Sequence, residues 1–332
     1  MDRIKIKISD FDIVNDNYLL WTNLKDSKYP NRYECTRVIV NDKANVKRPF
    51  RITLKLYYDE VKDEFSIKFN GSIRKWYFGK NTRQNLTLTQ LKDCIKLLSD
   101  KIGIREQDLL NAKVTQLEIG ITLLLKSHLK NIIDCFVKHG SFKREFRKTS
   151  LYFEGKKSSE LKESNYKYKF YEKYMEMNKY DENFRLNPLK MNIHKKFFFF
   201  RFEIVIKKVS GVDFFKDKAR TINDIVNNWD EINDELNKRF KKIHFVDLIS
   251  NEKVIDITKM GKRNGKKYLL FQAIKKNGFF EELEKFEISN TSTNRNTKIK
   301  AYFRDYELFL EKNIDYKNEL YLALDRKIKS LV

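Results

Sequence analysis

Proline is nearly missing from this chain, with 3 in 332 residues, and glycine is scarce at 10. So few turn-formers exclude a loop-rich or collagen-like scaffold and predict long regular elements. Cysteine is equally sparse. Cys35, Cys94 and Cys135 stand apart with no CxxC pair, which excludes a disulfide framework and a zinc site and reads as reduced, buried thiols. There is no His-x-His pair either. His128, His139, His194 and His244 are scattered and read as surface or core residues, not ligands. No apolar run approaches the ~20 residues of a membrane-spanning helix, and the first residues alternate charge with apolar side chains instead of forming a signal-peptide core. The expectation is a soluble, cytoplasmic protein without a membrane partner. Acidic residues are also in deficit, 46 against 69 Lys+Arg, for a net charge of +23. A fold does not need that excess. It concentrates polyanions, nucleic acid foremost; the plain alternative is a lysine-rich composition from an AT-rich genome.

What is abundant is apolar and aromatic: 41% hydrophobic, with 26 Phe and 17 Tyr. That is ample for a core and excludes disorder over most of the length. Alternation predicts strands over 4–14, 36–41, 50–58 and 64–69, a turn at 69–72, a basic-aromatic stretch over 75–81, and a helix capped by Thr89 running to 102. The outline then recurs, with strands over 114–125, 150–154, 166–173 and 197–208 and a helix over 129–138. Beyond Gly211, Ile222, Ile225, Val226, Trp229, Ile232, Leu236 and Phe240 fall at helical spacing, followed by a basic Gly-containing loop over 259–267. The expected class is α+β: a duplicated antiparallel sheet with helices on one face, divided as 1–110, 111–211 and a helical C-terminal region, 212–332.

Alternate residues of a strand share a face. Gln116, Glu118, Gly120 and Thr122 fall together, opposite Leu117, Ile119, Ile121 and Leu123. Lys167, Lys169, Tyr171 and Lys173 share a face, as do Arg201 and Glu203. Were these three strands neighbours, carboxylates, a tyrosine, lysines and an arginine would converge, a set suited to phosphoryl transfer. The Glu118–Glu203 pair can hold Mg²⁺ or Mn²⁺, hard cations that take oxygen ligands. Lys173 or Arg201 can stabilise charge on phosphate oxygens, and a cation beside Tyr171 favours its phenolate. The plain reading beside this one is a half-exposed sheet with solvated glutamates and lysines.

The segment Lys169-Phe170-Tyr171-Glu172-Lys173-Tyr174-Met175-Glu176 resembles the nicking motif Tyr-x-Lys-x-x-Glu of rolling-circle replication initiators of the plasmid and filamentous-phage kind. Ser150 to Gly155, followed by Lys156 and Lys157, is similar to the Thr-x-Tyr-x-Gly segment that precedes that motif. Phe200 to Ile204 resembles the Arg-x-Glu strand after it, and Thr115 to Gly120 lies where the family has an acidic strand. Phe69 to Lys75 looks like a Gly-Ser-x-x-Lys element. The resemblance spans about residues 65–210. It implies an HUH-endonuclease-like nickase in which Tyr171 attacks, Lys173 is the phosphate or phenolate partner, and Glu118, Glu203 and, at or beyond the strand end, Glu176 are metal ligands. It departs from the pattern in lacking the paired histidines and in having Glu118 where Asp is commoner, with Gln116 before it.

DNA contacts are expected from Lys167, Lys169, Tyr152, Lys156 and Lys157, within a stretch (138–173) holding eleven Lys/Arg against five Asp/Glu among aromatic rings, and from Arg74, Lys75 and Trp76. The expected partners are origin DNA as a hairpin or single strand, host replication proteins and, as an option, a second copy of the chain. A mobilisation relaxase and a non-enzymatic DNA- or RNA-binding protein are the alternatives.

Overall fold

Alternation sets the sheet. In β1 (Arg3–Ser9) Ile4, Ile6 and Ile8 are buried while Arg3, Lys7 and Ser9 are exposed, so one face is apolar and the other charged. The computed structural model describes residues 1–9, 11–14, 24–26, 28, 30–41, 50–79, 82–126, 132–140, 142–147, 150–154, 165–180, 196–277, 301–311 and 314–331. The strands that follow are β2 (Lys25–Asp26), β3 (Arg32–Val40), β4 (Arg51–Asp59), β5 (Glu64–Gly71), β6 (Lys113–Lys126), β7 (Phe136–Lys138), β8 (Lys143–Arg147), β9 (Ser150–Glu154), β10 (Tyr166–Glu172), β11 (Phe197–Ile206) and β12 (His244–Phe245).

Ten of them form one antiparallel sheet in the order β2-β3-β4-β5-β1-β6-β11-β10-β9-β8, and β7 pairs with β12 separately. Outward from the middle, the two sides are connected alike. β1 and β6 sit side by side at the centre, each half returns its last strand (β5, β11) beside its first, and the strands between step outward in reverse order. The protein is thus α+β with a large antiparallel sheet, and the described helices include none long and apolar enough to cross a membrane.

Helices cover the apolar face. In α2 (Leu88–Ile102), Leu91, Cys94, Ile95, Leu98 and Ile102 are buried on one side. Its cap is Thr87, not Thr89, because Thr87 and Gln90 form a reciprocal capping box. Among the described residues the helices that follow the sheet include α5 (Asp213–Lys218), α6 (Ile222–Asn227), α7 (Trp229–Lys241), α8 (Lys262–Asn277) and α9 (Tyr316–Lys329). The helical pattern over 222–240 is split at Asn228, where α6 ends and α7 begins. Phe240 of α7 lies 4.9 Å from Phe202 and 5.3 Å from Phe136, centroid to centroid, tying the C-terminal helices to the centre of the sheet. Burying such a ring stabilises by about 1.5–3 kcal/mol. A smaller apolar cluster, including Val246, Phe271, Tyr306 and Phe309, gathers around α8.

Three local expectations are corrected. The helix over 129–138 is not formed at its described end, since Phe136–Lys138 is strand β7, drawn into pairing with β12; residues 127–131 are outside the described set. The basic loop over 259–267 becomes helix α8 from Lys262 onward. The basic-aromatic stretch after residue 72 is a short helix, α1 (Ile73–Phe78), capped by Ser72, with two further helices, α3 (Glu106–Leu110) and α4 (Lys173–Tyr180), before β11. Lys173 therefore starts a helix and does not end a strand.

Candidate metal and nucleophile site

The opposite face of the sheet carries the charge. Register places Tyr171 opposite Arg201, and Arg201 opposite Thr122, across β10, β11 and β6; Lys169, Glu203 and Gly120 form the next row. Directly opposed residues in antiparallel pairs share a face, so the three expected strands are neighbours and their polar residues meet. β1 begins beside Glu118, with Arg3 as its partner. That brings in Asp2, whose amide donates to the Glu118 carbonyl at 2.8 Å.

Tyr171 is 5% exposed, and its hydroxyl donates to Glu203 Oε1 at 2.7 Å. Arg201 is fully buried. Its Nε donates to the same Glu203 oxygen at 2.8 Å, and its two terminal nitrogens reach Asp2 Oδ2 at 2.5 Å, Thr122 Oγ1 at 2.8 Å and Asn85 Oδ1 at 3.1 Å. Asp2 also takes Arg74 Nε at 2.9 Å. Lys169 stands at the mouth, 3.3 Å from Glu203 Oε2 and 4.2 Å from the Tyr171 ring centroid. Gly120 makes this possible: a Cβ there would lie 2.6 Å from an Arg201 nitrogen and 2.7 Å from Glu203 Cγ.

Electrostatics follow from burial and neighbours. Burial, reinforced by the Glu203 carboxylate, pushes the Tyr171 phenol well above its usual range. Burial likewise raises Glu118, and the charges of Glu203 and Asp2 add to it, taking it to about 8. Burial opposes ionisation of Asp2 and Glu203 as well, but Arg74 and Arg201 hold Asp2 down, and Lys169 and Arg201 hold Glu203 down. Lys173 is lowered to about 7 by burial and by the cations Arg74 and Arg201.

Carboxylate oxygens of Asp2, Glu118 and Glu203 lie within 4.8 Å of one another. Oxygens facing each other across a cation held at about 2.1–2.4 Å are separated by about 4.2–4.8 Å, so this set fits a hard divalent ion. Glu203 Oε2 is buried and, among the described residues, accepts no hydrogen bond, with the Lys169 ammonium 3.3 Å away. An all-oxygen, all-carboxylate donor set suits Mg²⁺ or Mn²⁺.

Other expected residues are placed elsewhere. Glu176 lies in α4 with its carboxylate held by Lys173 and, at 2.8 Å, by Lys75, so it is engaged by cations and stands outside the acidic trio. Arg74 is fully buried on Asp2 and on the carbonyls of Thr82 and Gln84, and Trp76 is 1% exposed in the core. Neither offers a DNA-facing side chain, because the stretch that carries them coils into α1 and turns them inward. Lys167 and Tyr152 remain on the open face, with the ammonium 5.1 Å from the ring centroid. Lys156 and Lys157 lie outside the described residues. Asp2, Asn85 and Thr122 were not foreseen as site residues. Thr122 shares the face of Glu118 and was legible by alternation; Asp2 and Asn85 reach the site only through pairing and a loop path that no local pattern announces. No family model, curated protein or solved structure matches this chain.

Proposed function

We propose that the protein is a metal-assisted DNA nickase and strand transferase of the rolling-circle initiator type, with Tyr171 as nucleophile. One observation carries this reading: the Tyr171 hydroxyl is hydrogen-bonded to Glu203, and Glu203 belongs to a trio of carboxylates spaced for one divalent cation. The two alike-connected halves of the sheet, with the tyrosine in the second, support the HUH-endonuclease-like comparison drawn from the motifs.

Asp2, Glu118 and Glu203 would hold the ion, which when bound polarises the scissile phosphate. Glu203 receives the phenolic proton as Tyr171 Oη attacks phosphorus. The new bond is the 5′-phosphotyrosine, and the bond broken is the one to the 3′-oxygen, which takes a proton from solvent and leaves as a free 3′-hydroxyl. Arg201 and Lys169 supply positive charge beside the acids, and Lys173, below the ring at 5.8 Å from its centroid, favours the phenolate. Lys169 covers the ring, so a phosphate enters by displacing its ammonium.

Burial of Arg201 between Asp2 and Glu203 favours one rival, a closed ion network that stiffens a nucleic-acid-binding sheet without chemistry. A suicide oligonucleotide separates the two. Covalent protein–DNA adducts that require Mg²⁺ or Mn²⁺ and disappear in Tyr171→Phe are expected. Binding without adducts across a panel of hairpin and single-stranded substrates would leave only the passive binder.

A further inference from the structure

The open face of the N-terminal half, remote from the tyrosine, holds a groove of about 290 Å³. Lys5, Lys7, Lys55 and Lys68 line it together with Thr53, Asn70 and Thr115, and its wall is mostly carbon. Register sets Lys7, Lys68 and Lys55 directly opposite one another on three adjacent strands; Lys5, Asn70 and Thr53 make the next row. Like charges placed directly across strands destabilise a sheet. Here nothing offsets them: among the described residues no carboxylate lines the groove, and none of the four lysines forms an ion pair. Lys7, Lys55 and Lys68 are exposed, and Lys68 Nζ lies 4.6 Å from the Tyr57 ring centroid on the same face. Folding stability gives no reason for such a row, whereas a bound polyanion does.

A smaller cavity of about 140 Å³ continues the path. It shares Lys5 with the first groove and is lined further on by Arg3, Gln116 and Glu118. Lys5 is two residues along β1 from Arg3, the partner of Glu118, a step of about 7 Å. The basic row therefore leads to the edge of the acidic trio.

We infer that this groove is a track for single-stranded nucleic acid, holding the strand that enters the Glu118–Glu203 site. The inference rests on the nucleic-acid reading above. A single strand is favoured over a duplex because the groove alternates ammonium groups with carbon walls, and the Tyr57 ring stands beside Lys68 next to it. Unpaired bases can cover the carbon and the ring while phosphates meet the lysines. A duplex keeps its base faces stacked and would leave those walls bare.

The test uses the full chain and a variant with Lys5→Gln, Lys7→Gln, Lys55→Gln and Lys68→Gln, titrated with fluorescent oligothymidine and with a duplex across a salt series. The variant is expected to melt as the parent does, to bind oligothymidine at least about tenfold more weakly, and to show a salt slope shallower by about 0.7 per lysine. Should it fail to fold, the single reversal Lys55→Glu, at an exposed strand position, must give the same direction of change. Unchanged affinity and slope would overturn the inference, as would weakened duplex binding with oligothymidine binding intact, or a parent chain that binds neither. Adduct formation is scored on the same samples. Adducts with an unaffected salt slope sink the track and leave the nickase standing; a lost slope without adducts does the reverse.

Discussion

The two halves of the sheet share one connectivity and carry opposite chemistry. Around β1 and β5 the open face holds Lys5, Lys7 and Lys68, solvated and without acidic partners among the described residues. Around β6 and β11, which occupy the same positions in the second half, it holds the half-buried Glu118 beside Arg201 and Glu203, which are buried and hydrogen-bonded to each other. The same backbone frame therefore supports a solvated cation row in one half and a desolvated ion cluster in the other. The difference lies in cover. The 82–85 segment, α1 and α4 close over the second half through Asn85, Arg74 and Lys173, while in the first half Lys7, Lys55 and Lys68 are exposed and, among the described residues, no segment closes over them. Desolvation turns ordinary acids and bases into groups with displaced pKa values, and perturbed groups of this kind gather at functional sites.

The largest expected contrast comes from removing one cation from each half. Arg201→Leu strips the buried carboxylates of Asp2 and Glu203 of their shared partner, a loss of about 3–5 kcal/mol, read as a large drop in urea midpoint. Lys68→Leu, on the open side, should leave the midpoint where it was. Equal effects would mean that the second half is no more desolvated than the first.

Next in size is the pair of strand glycines. Gly120→Ala drives a methyl into Arg201 and Glu203, while Gly71→Ala meets Ile52 Cγ1 at 2.8 Å and its Cα at 3.2 Å. Each should cost about 1–3 kcal/mol as overpacking, but only Gly120→Ala should also lower adduct yield per folded molecule. Loss of adducts in both variants would show that overall rigidity is being measured instead of the geometry of Arg201.

Smallest per step of the measurement is the pH response of Lys173, which accumulates only gradually across its titration window. It titrates near 7 in the fold and near an ordinary 10.4 when unfolded. Between those values the unfolded chain holds the extra proton, so this group's contribution to stability rises with pH from about 7 to about 10. Below 7 both states are protonated and the cost of the buried charge is carried in full. The limiting slope is about 1.4 kcal/mol per pH unit. Urea midpoints across that window should rise more steeply in the parent than in Lys173→Met. Parallel curves would place the lysine in water.

Alternation alone located β4, β5, β6, β9, β10 and β11 to within about two residues and the start of β1, which ends at Ser9 and not at Val14, and with them the shared face of Glu118, Tyr171, Arg201 and Glu203. A strand half-buried in a sheet must alternate, and that pattern is written locally. Glu176, Arg74 and Trp76 were misplaced because helices begin at Lys173 and at Ile73, where the sequence pattern gives a strand end and a basic-aromatic stretch of no assigned structure.

The sequence by itself determined the α+β class, the apolar and polar sides of each strand, and a charge balance that favours polyanions, since all three follow from residue order and composition. Only the tertiary structure decided which strands became neighbours, that Asp2 joins Glu118 and Glu203, and that Arg201 sits between two acids away from water. Those outcomes depend on long-range pairing between β1, β6 and β11 and on the segments that cover one half of the sheet, and desolvation of a charge exists only once that cover is in place.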